Sequence, residues 1–184
     1  MSERGPRSVA QHRRAPQGEL ARSAPREAPH NLRVRDRVLR MARSDFTFSH
    51  PLRVRWAEVD RQGIVFNGHY LTYFDVGIIE YWRAIGHPYP DALLQEGNDT
   101  FAVKATIEYS ASARYDDLLD VLVRVGRIGR TSLQFLLEIH RGEAQLVSGE
   151  LIYVNADAGT RKPAPVPAFV REAILRFERV PPVT

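Results

Sequence analysis

His69-Tyr-Leu-Thr-Tyr73-Phe-Asp-Val-Gly77-Ile-Ile-Glu-Tyr81-Trp-Arg-Ala-Ile85 is the stretch on which the fold turns. Tyr70, Tyr73, Phe74, Gly77, Ile78, Tyr81 and Ile85 recur at helical spacing, while Leu71, Ile79 and Trp82 occupy another face. A helix apolar over most of its circumference belongs inside a domain. Gly86-His-Pro-Tyr-Pro90 ends it, because proline removes a backbone donor and clashes with the preceding turn. The rest of the chain must therefore supply a surface that wraps this helix.

Upstream, residues 46–56 alternate apolar and polar side chains with period two, the pattern of a half-buried strand. Downstream, a short helix or loop over 91–97 precedes four strand-like runs at 101–111, 117–128, 131–141 and 144–155. Gly129-Arg130 and Gly142-Glu143 are tight connections, so the last three runs are expected to form an antiparallel meander. Residues 162–167 read as an extended proline-rich link, and 168–179 as a C-terminal amphipathic helix. One strand, one buried helix and then more strands is an α+β order: an antiparallel sheet of five or more strands around a long central helix.

A chain of 184 residues suits one domain with a sizeable core. It contains no cysteine, which removes disulfides, thiolate nucleophiles and cysteine-bearing metal sites. Its apolar runs fall far short of the roughly 18 residues that span a bilayer. The N-terminus is basic but lacks the apolar centre of a secretory signal, so the cytoplasm is the expected compartment. The net charge of +4 is unevenly divided: residues 1–40 hold ten arginines against four acids, and 41–184 hold sixteen basic residues against eighteen acidic ones. The excess sits in the leader, so the folded domain is not expected to bind nucleic acid. Residues 1–44, rich in Arg and Pro, are expected to form a disordered leader before a domain over 45–180. A start of translation at Met41 is the competing reading of that leader.

Between strand and helix lies Val59-Asp60-Arg-Gln-Gly63-Ile-Val-Phe-Asn67-Gly-His69-Tyr70. A carboxylate stands at the end of a strand, Gly63 lets the backbone turn, and polar Asn67 opens the helix. Free N–H groups at a helix start, at the positive end of its dipole, suit an oxygen that gains negative charge. Thioester hydrolysis needs such donors together with a carboxylate that activates water or attacks directly.

Asp60-x-x-Gly63-Ile64-Val65-Phe66-Asn67-x-x-Tyr70 resembles the signature of the 4-hydroxybenzoyl-CoA thioesterase family of hotdog-fold proteins. Ala105-x-Ile-x-Tyr109, Ala113-x-Tyr115-Asp116-Asp117-x-Leu119 and residues 163–174 are similar to further segments of that family, so the likeness covers about residues 46–178. The resemblance implies a hotdog fold and a cofactor-free, metal-free acyl-CoA thioesterase. It casts Asp60 as base or nucleophile and the backbone N–H of Asn67 as oxyanion donor. It also implies a homodimer or homotetramer with the site at the subunit interface. Arg130 matches a position where family members carry basic residues for the coenzyme A phosphates, and His69 and Tyr70 are candidate substrate contacts.

Competing readings stand beside these. A hydratase would need histidine five residues after the aspartate, where this chain has Val65. A non-catalytic acyl-CoA-binding sensor or scaffold remains open, as does an acyl carrier protein in place of coenzyme A. Glu58 reads as a solvated or hydrogen-bonding acid. The adjacent Asp116 and Asp117 point to opposite faces of an extended chain, so a turn role is expected rather than a metal site.

Overall fold

The structure is a computed structural model that describes residues 41–184. The expected disorder of residues 1–40, and the choice between a full leader and a start at Met41, lie outside the described residues. Within them, strand β1 (Phe48–Arg53) leads through a 3-10 turn (Trp56–Glu58) to helix α1 (Asn67–Ala84) and the one-turn helix α2 (Asp91–Leu94). Strands β2 (Asn98–Tyr109), β3 (Leu118–Ile128), β4 (Ser132–Arg141) and β5 (Ala144–Asp157) follow, and helix α3 (Ala168–Phe177) closes the order.

The five strands form one antiparallel sheet in the order β1-β3-β4-β5-β2. The expected meander is β3-β4-β5, and the sheet wraps α1 as a hotdog fold requires. Tyr70, Tyr73, Phe74, Gly77, Ile78, Tyr81 and Trp82 are the buried residues of α1, an unbroken three-then-four spacing that faces the sheet. Burying each of the larger side chains contributes roughly 1.5–3 kcal/mol. Glycine at position 77 permits the closest approach, since a Cβ there would stand 2.6 Å from Val121 Cγ1 and 3.0 Å from Val123 Cγ2. The helix is not enclosed all round, however. Of the second apolar face, Trp82 is buried and Ile79 half-buried, but Leu71 is 40% exposed, so that face is open only near the helix start, beside β2.

Both domain boundaries extend beyond the expected ones. Arg43, assigned to the leader, reaches Asp120 Oδ2 at 2.6 Å and the Gly142 carbonyl at 2.9 Å. At the other end, β1 pairs only with the first half of β3, and the C-terminal segment continues the sheet beside the second half. There Ile128 N–H donates to Val183 O at 2.8 Å and Val183 N–H to Gly126 O at 3.0 Å. Among the described residues no helix is long and apolar enough to cross a membrane.

Candidate active site

The chain between β1 and α1 folds back sharply. Val59 bridges to Val65, Asp60 N–H donates to Ile64 O at 2.8 Å, and Gly63 N–H to Asp60 O at 2.9 Å. Gly63 has φ +73° with open space where a Cβ would stand, so backbone conformation rather than crowding calls for glycine. The turn sets the helix start beside the strand end, where Phe66 N–H donates to Glu58 O at 2.9 Å. Asn67 is then the first residue of α1, and Phe66, at the N-cap, has no side-chain acceptor to offer. No described residue accepts a hydrogen bond from the N–H of Asn67 or Gly68. Two donors at the positive end of an 18-residue helix are thus left for an external oxygen.

Two carboxylates precede these donors and differ in their commitments. Glu58 is 3% exposed and accepts bonds from the Arg55 backbone N–H at 2.7 Å, Arg55 Nε at 2.8 Å and Tyr73 OH at 2.8 Å. Burial pushes its carboxyl up, but the Arg55 and Tyr73 hydrogen bonds and the guanidinium charge together hold it below the usual carboxylate range. Burial, then the bond to Glu58, raises the Tyr73 hydroxyl in turn. Asp60 is half-buried and accepts one bond, from Gln62 N–H to Oδ1 at 2.7 Å. Among the described residues nothing engages its other oxygen. Glu58 is the hydrogen-bonding acid and Asp60 the available one.

Beside the helix start, a cleft of ≈ 490 Å³ opens between α1 and β2. Gly68, Leu71, Thr72 and Asp75 line one wall, and Val103 and Tyr153 stand opposite. Sequence reasoning passed over Asp75, whose carboxylate accepts a bond from Tyr153 OH at 3.0 Å. Its signal was present: a carboxylate one helical face along from Gly68 and Thr72, within an otherwise apolar run.

Two of the expected contacts lie elsewhere. Tyr70 is 2% exposed, and its hydroxyl accepts the Ala113 N–H at 2.9 Å, so it braces the loop ahead of β3 instead of lining the cleft. Arg130 follows the far end of β3, whereas the Asp60 turn adjoins the near end, where Arg53 pairs with Leu118. Ten strand steps separate Leu118 from Ile128, about 33 Å of extended chain, so Arg130 and the Asp60 turn of the same chain lie at opposite ends of β3. His69 is half-buried, with its ring edge-on to Phe66 at 6.0 Å, beside the helix start. Asp116 and Asp117 hold turns as expected: Asp117 Oδ2 accepts from Arg114 N–H at 2.8 Å and Arg141 at 2.7 Å.

A sheet wrapped on one helix, with a carboxylate oxygen and helix N–H groups that no described residue engages, is the layout of a hotdog thioester hydrolase. The chain belongs to the thioesterase superfamily, whose family profile matches residues 62–148. It is similar to the acyl-CoA thioesterase YbgC of Haemophilus influenzae, 31% identical over 130 residues that cover 70% of this chain and 95% of the relative. The acyl-CoA thioester hydrolase YbgC of Escherichia coli O6:H1 is 30% identical over 67% of this chain and 92% of its own. Among solved structures, a thioesterase from Thermus thermophilus in complex with coenzyme A and zinc superposes with a TM-score of 0.64. That likeness has 26% identity and covers 74% of this chain and 98% of that one.

Proposed function

We propose that this protein hydrolyses acyl-CoA thioesters, with Asp60 as the reacting carboxylate and the Asn67 N–H as the oxyanion donor. The observation that carries the assignment is the pairing of an unengaged Asp60 oxygen with an uncapped helix N-terminus across one tight turn. The thioester carbonyl oxygen accepts from Asn67 N–H, which points at the charge that develops as the carbonyl becomes tetrahedral. Asp60 then either takes a proton from attacking water or adds to the carbonyl carbon itself. In the first case hydroxide joins the carbon, the C–S bond breaks and the thiolate leaves. In the second, the C–S bond breaks with loss of the thiolate to leave a mixed anhydride on Asp60, which water then hydrolyses to the free acid and the carboxylate. The thiolate is a good leaving group, so little acid assistance is needed.

The acyl group takes the cleft beside α1, where Leu71 and Val103 offer apolar walls. A second copy of the chain completes that cleft. β2 is an edge strand whose far side is unpaired among the described residues, with Phe101 36%, Val103 60% and Tyr109 52% exposed along it. Antiparallel pairing of β2 with its counterpart would satisfy the edge and cover these side chains. Placement beside the 4-hydroxybenzoyl-CoA thioesterases, a finer assignment, rests on the spacing of Asp60, Gly63, Asn67 and Tyr70.

Asp60→Asn tests the reading. Turnover of short aliphatic and aromatic acyl-CoA, followed by thiol release, is expected to fall by about 10³-fold or more, with the melting temperature unchanged. Turnover near that of the unmodified protein would reject Asp60 as the reacting group. Tight acyl-CoA binding without thiol release by the unmodified protein would favour the sensor instead.

A further inference from the structure

The cleft beside α1 presents a negative charge that no described cation answers. Its helical wall runs Gly68, Leu71, Thr72, Asp75, the i, i+3, i+4, i+7 spacing of a single face that begins beside the Asn67 N–H. Asp75 follows Asn67 by just over two helical turns, about 12 Å of axis, and helical side chains lean back toward the N-terminus. Its carboxylate therefore faces the far end of an acyl group whose carbonyl lies at Asn67, away from the reacting carbon.

Lys104 also lines the cleft, but its ammonium donates to Glu150 Oε1 at 3.1 Å. Glu150 precedes Leu151, a cleft residue, in β5 and so points to the opposite face of the sheet. Among the described residues no cation pairs with Asp75, which is exposed. Asp75 accepts one bond, from Tyr153 OH to Oδ1 at 3.0 Å. Burial, then the charge and bond of Asp75, pushes the Tyr153 hydroxyl up, so its proton stays in place and is committed to Asp75.

Resting on the acyl-CoA reading above, we propose that Asp75 selects substrates by the far end of the acyl group. Acyl groups ending in a hydrogen-bond donor, a hydroxyl or an ammonium, are taken ahead of apolar ones of equal length, and those ending in a carboxylate, the monothioesters of dicarboxylic acids, are rejected. A donor reaches the Asp75 oxygen that no described residue engages. A carboxylate meets a like charge there, with the Tyr153 proton already given to Asp75.

A series of equal chain length tests this on the full chain by thiol release: hexanoyl-CoA, its ω-hydroxy and ω-amino derivatives, and adipoyl-CoA. The kcat/KM for adipoyl-CoA is expected to lie about tenfold or more below that for hexanoyl-CoA, and the ω-amino thioester several-fold above it. Asp75→Asn keeps an acceptor for Tyr153 OH; in it the adipoyl-to-hexanoyl ratio is expected to rise about tenfold and the ω-amino advantage to disappear. A ratio cancels any loss common to the whole series. Tyr153→Phe keeps the charge and is expected to keep the discrimination. Added salt is expected to narrow the adipoyl gap in the unmodified protein and to leave the ratio in Asp75→Asn where it was.

Equal kcat/KM for hexanoyl-CoA and either charged thioester, or a ratio that Asp75→Asn leaves unchanged, would overturn the selection by charge while leaving the hydrolase reading intact. Loss of discrimination in Tyr153→Phe as large as in Asp75→Asn would overturn it in favour of a cleft shape set by the pair. If neither this series nor shorter and aromatic thioesters release thiol, the hydrolase reading falls instead. Calorimetric binding of the intact thioesters then reads the same ratio: tighter binding of hexanoyl-CoA than of adipoyl-CoA would support the role of Asp75, and equal binding would overturn it.

Discussion

The two ends of α1 are treated in opposite ways. At its C-terminal end, the Ile85, Gly86 and His87 N–H groups donate to Tyr81, Arg83 and Trp82 carbonyls, each at 3.0 Å. Close by, Glu178 Oε1 accepts both Tyr81 OH and Val125 N–H at 2.7 Å, which ties the C-terminal segment to helix and sheet together. At its N-terminal end, Phe66 offers no cap, and among the described residues nothing claims the Asn67 and Gly68 N–H groups or one oxygen of Asp60. Folding commits hydrogen-bonding capacity at one end and withholds it at the other. An unmade bond at a helix start forgoes about 1 kcal/mol of stability, which is offset when a substrate oxygen arrives.

The sharpest way to break this contrast is to remove one withheld donor without disturbing the helix. Proline is favoured at the first position of a helix, where its missing N–H leaves no bond unmade. Phe66, with φ −58° and ψ 134°, already has the extended backbone that a following proline requires. Asn67→Pro is therefore expected to fold normally and to lose roughly 10²–10³-fold in kcat. Asn67→Ala keeps the donor and should stay within about twofold. Equal activity in the two variants would show that the Asn67 N–H does not hold the oxyanion.

At the committed end, the effect should fall on stability instead. Glu178→Ala leaves the Val125 N–H and the Tyr81 hydroxyl unpaired in the interior, at about 1–3 kcal/mol per group. A melting temperature lower by roughly 5–10 °C follows for a chain of this size, with turnover per folded molecule nearly unchanged. Glu178→Gln keeps an acceptor oxygen and should recover much of the loss. Burial pushes the Glu178 carboxyl above the usual range, against the pull of its Val125 and Tyr81 bonds and of Arg124. Loss of turnover in Glu178→Ala matching that of Asn67→Pro would erase the distinction between the ends.

The contrast explains what the sequence revealed and what it concealed. Periodicity exposed the buried face of α1, the meander of β3, β4 and β5, and the Asp60-to-Asn67 turn, because these depend on neighbours within a few residues. Strand order was not legible, since the pairing of β1 with β3 and of β2 with β5 spans long stretches of chain. For the same reason the position of Arg130 relative to Asp60 was not legible: its connection between β3 and β4 was read, but not the end of the sheet on which it falls. Trp56 closes the alternating run of residues 46–56. The 3-10 turn at Trp56–Glu58 rotates it into solvent, and a turn so short leaves little trace in a hydropathy pattern. Asp60 stood out as a carboxylate between a strand end and a helix start, but that one of its oxygens accepts no bond from the described residues shows only in the structure.

Glu58 gives the smallest and most discriminating effect, since it sits at the open end yet is bonded like the closed one. Its folded-state carboxyl is held below the usual range once the Arg55 and Tyr73 bonds and the Arg55 charge overcome burial. A depressed pKa contributes stability that is present above the unfolded carboxylate range and is lost as pH falls through the folded value. Glu58→Gln cannot make that contribution, so its melting temperature should lie a few degrees below the unmodified protein's at neutral pH, a difference of about 1 kcal/mol given the exposed guanidinium. On acidification toward about pH 3, below the ordinary carboxylate value, the two melting temperatures should converge. A gap that instead stayed constant with pH would assign the effect to packing around Tyr73 rather than to the charge. If kcat at saturating acyl-CoA also fell by about 10³-fold, as for Asp60→Asn, chemistry would belong to both carboxylates and Asp60 would no longer stand alone.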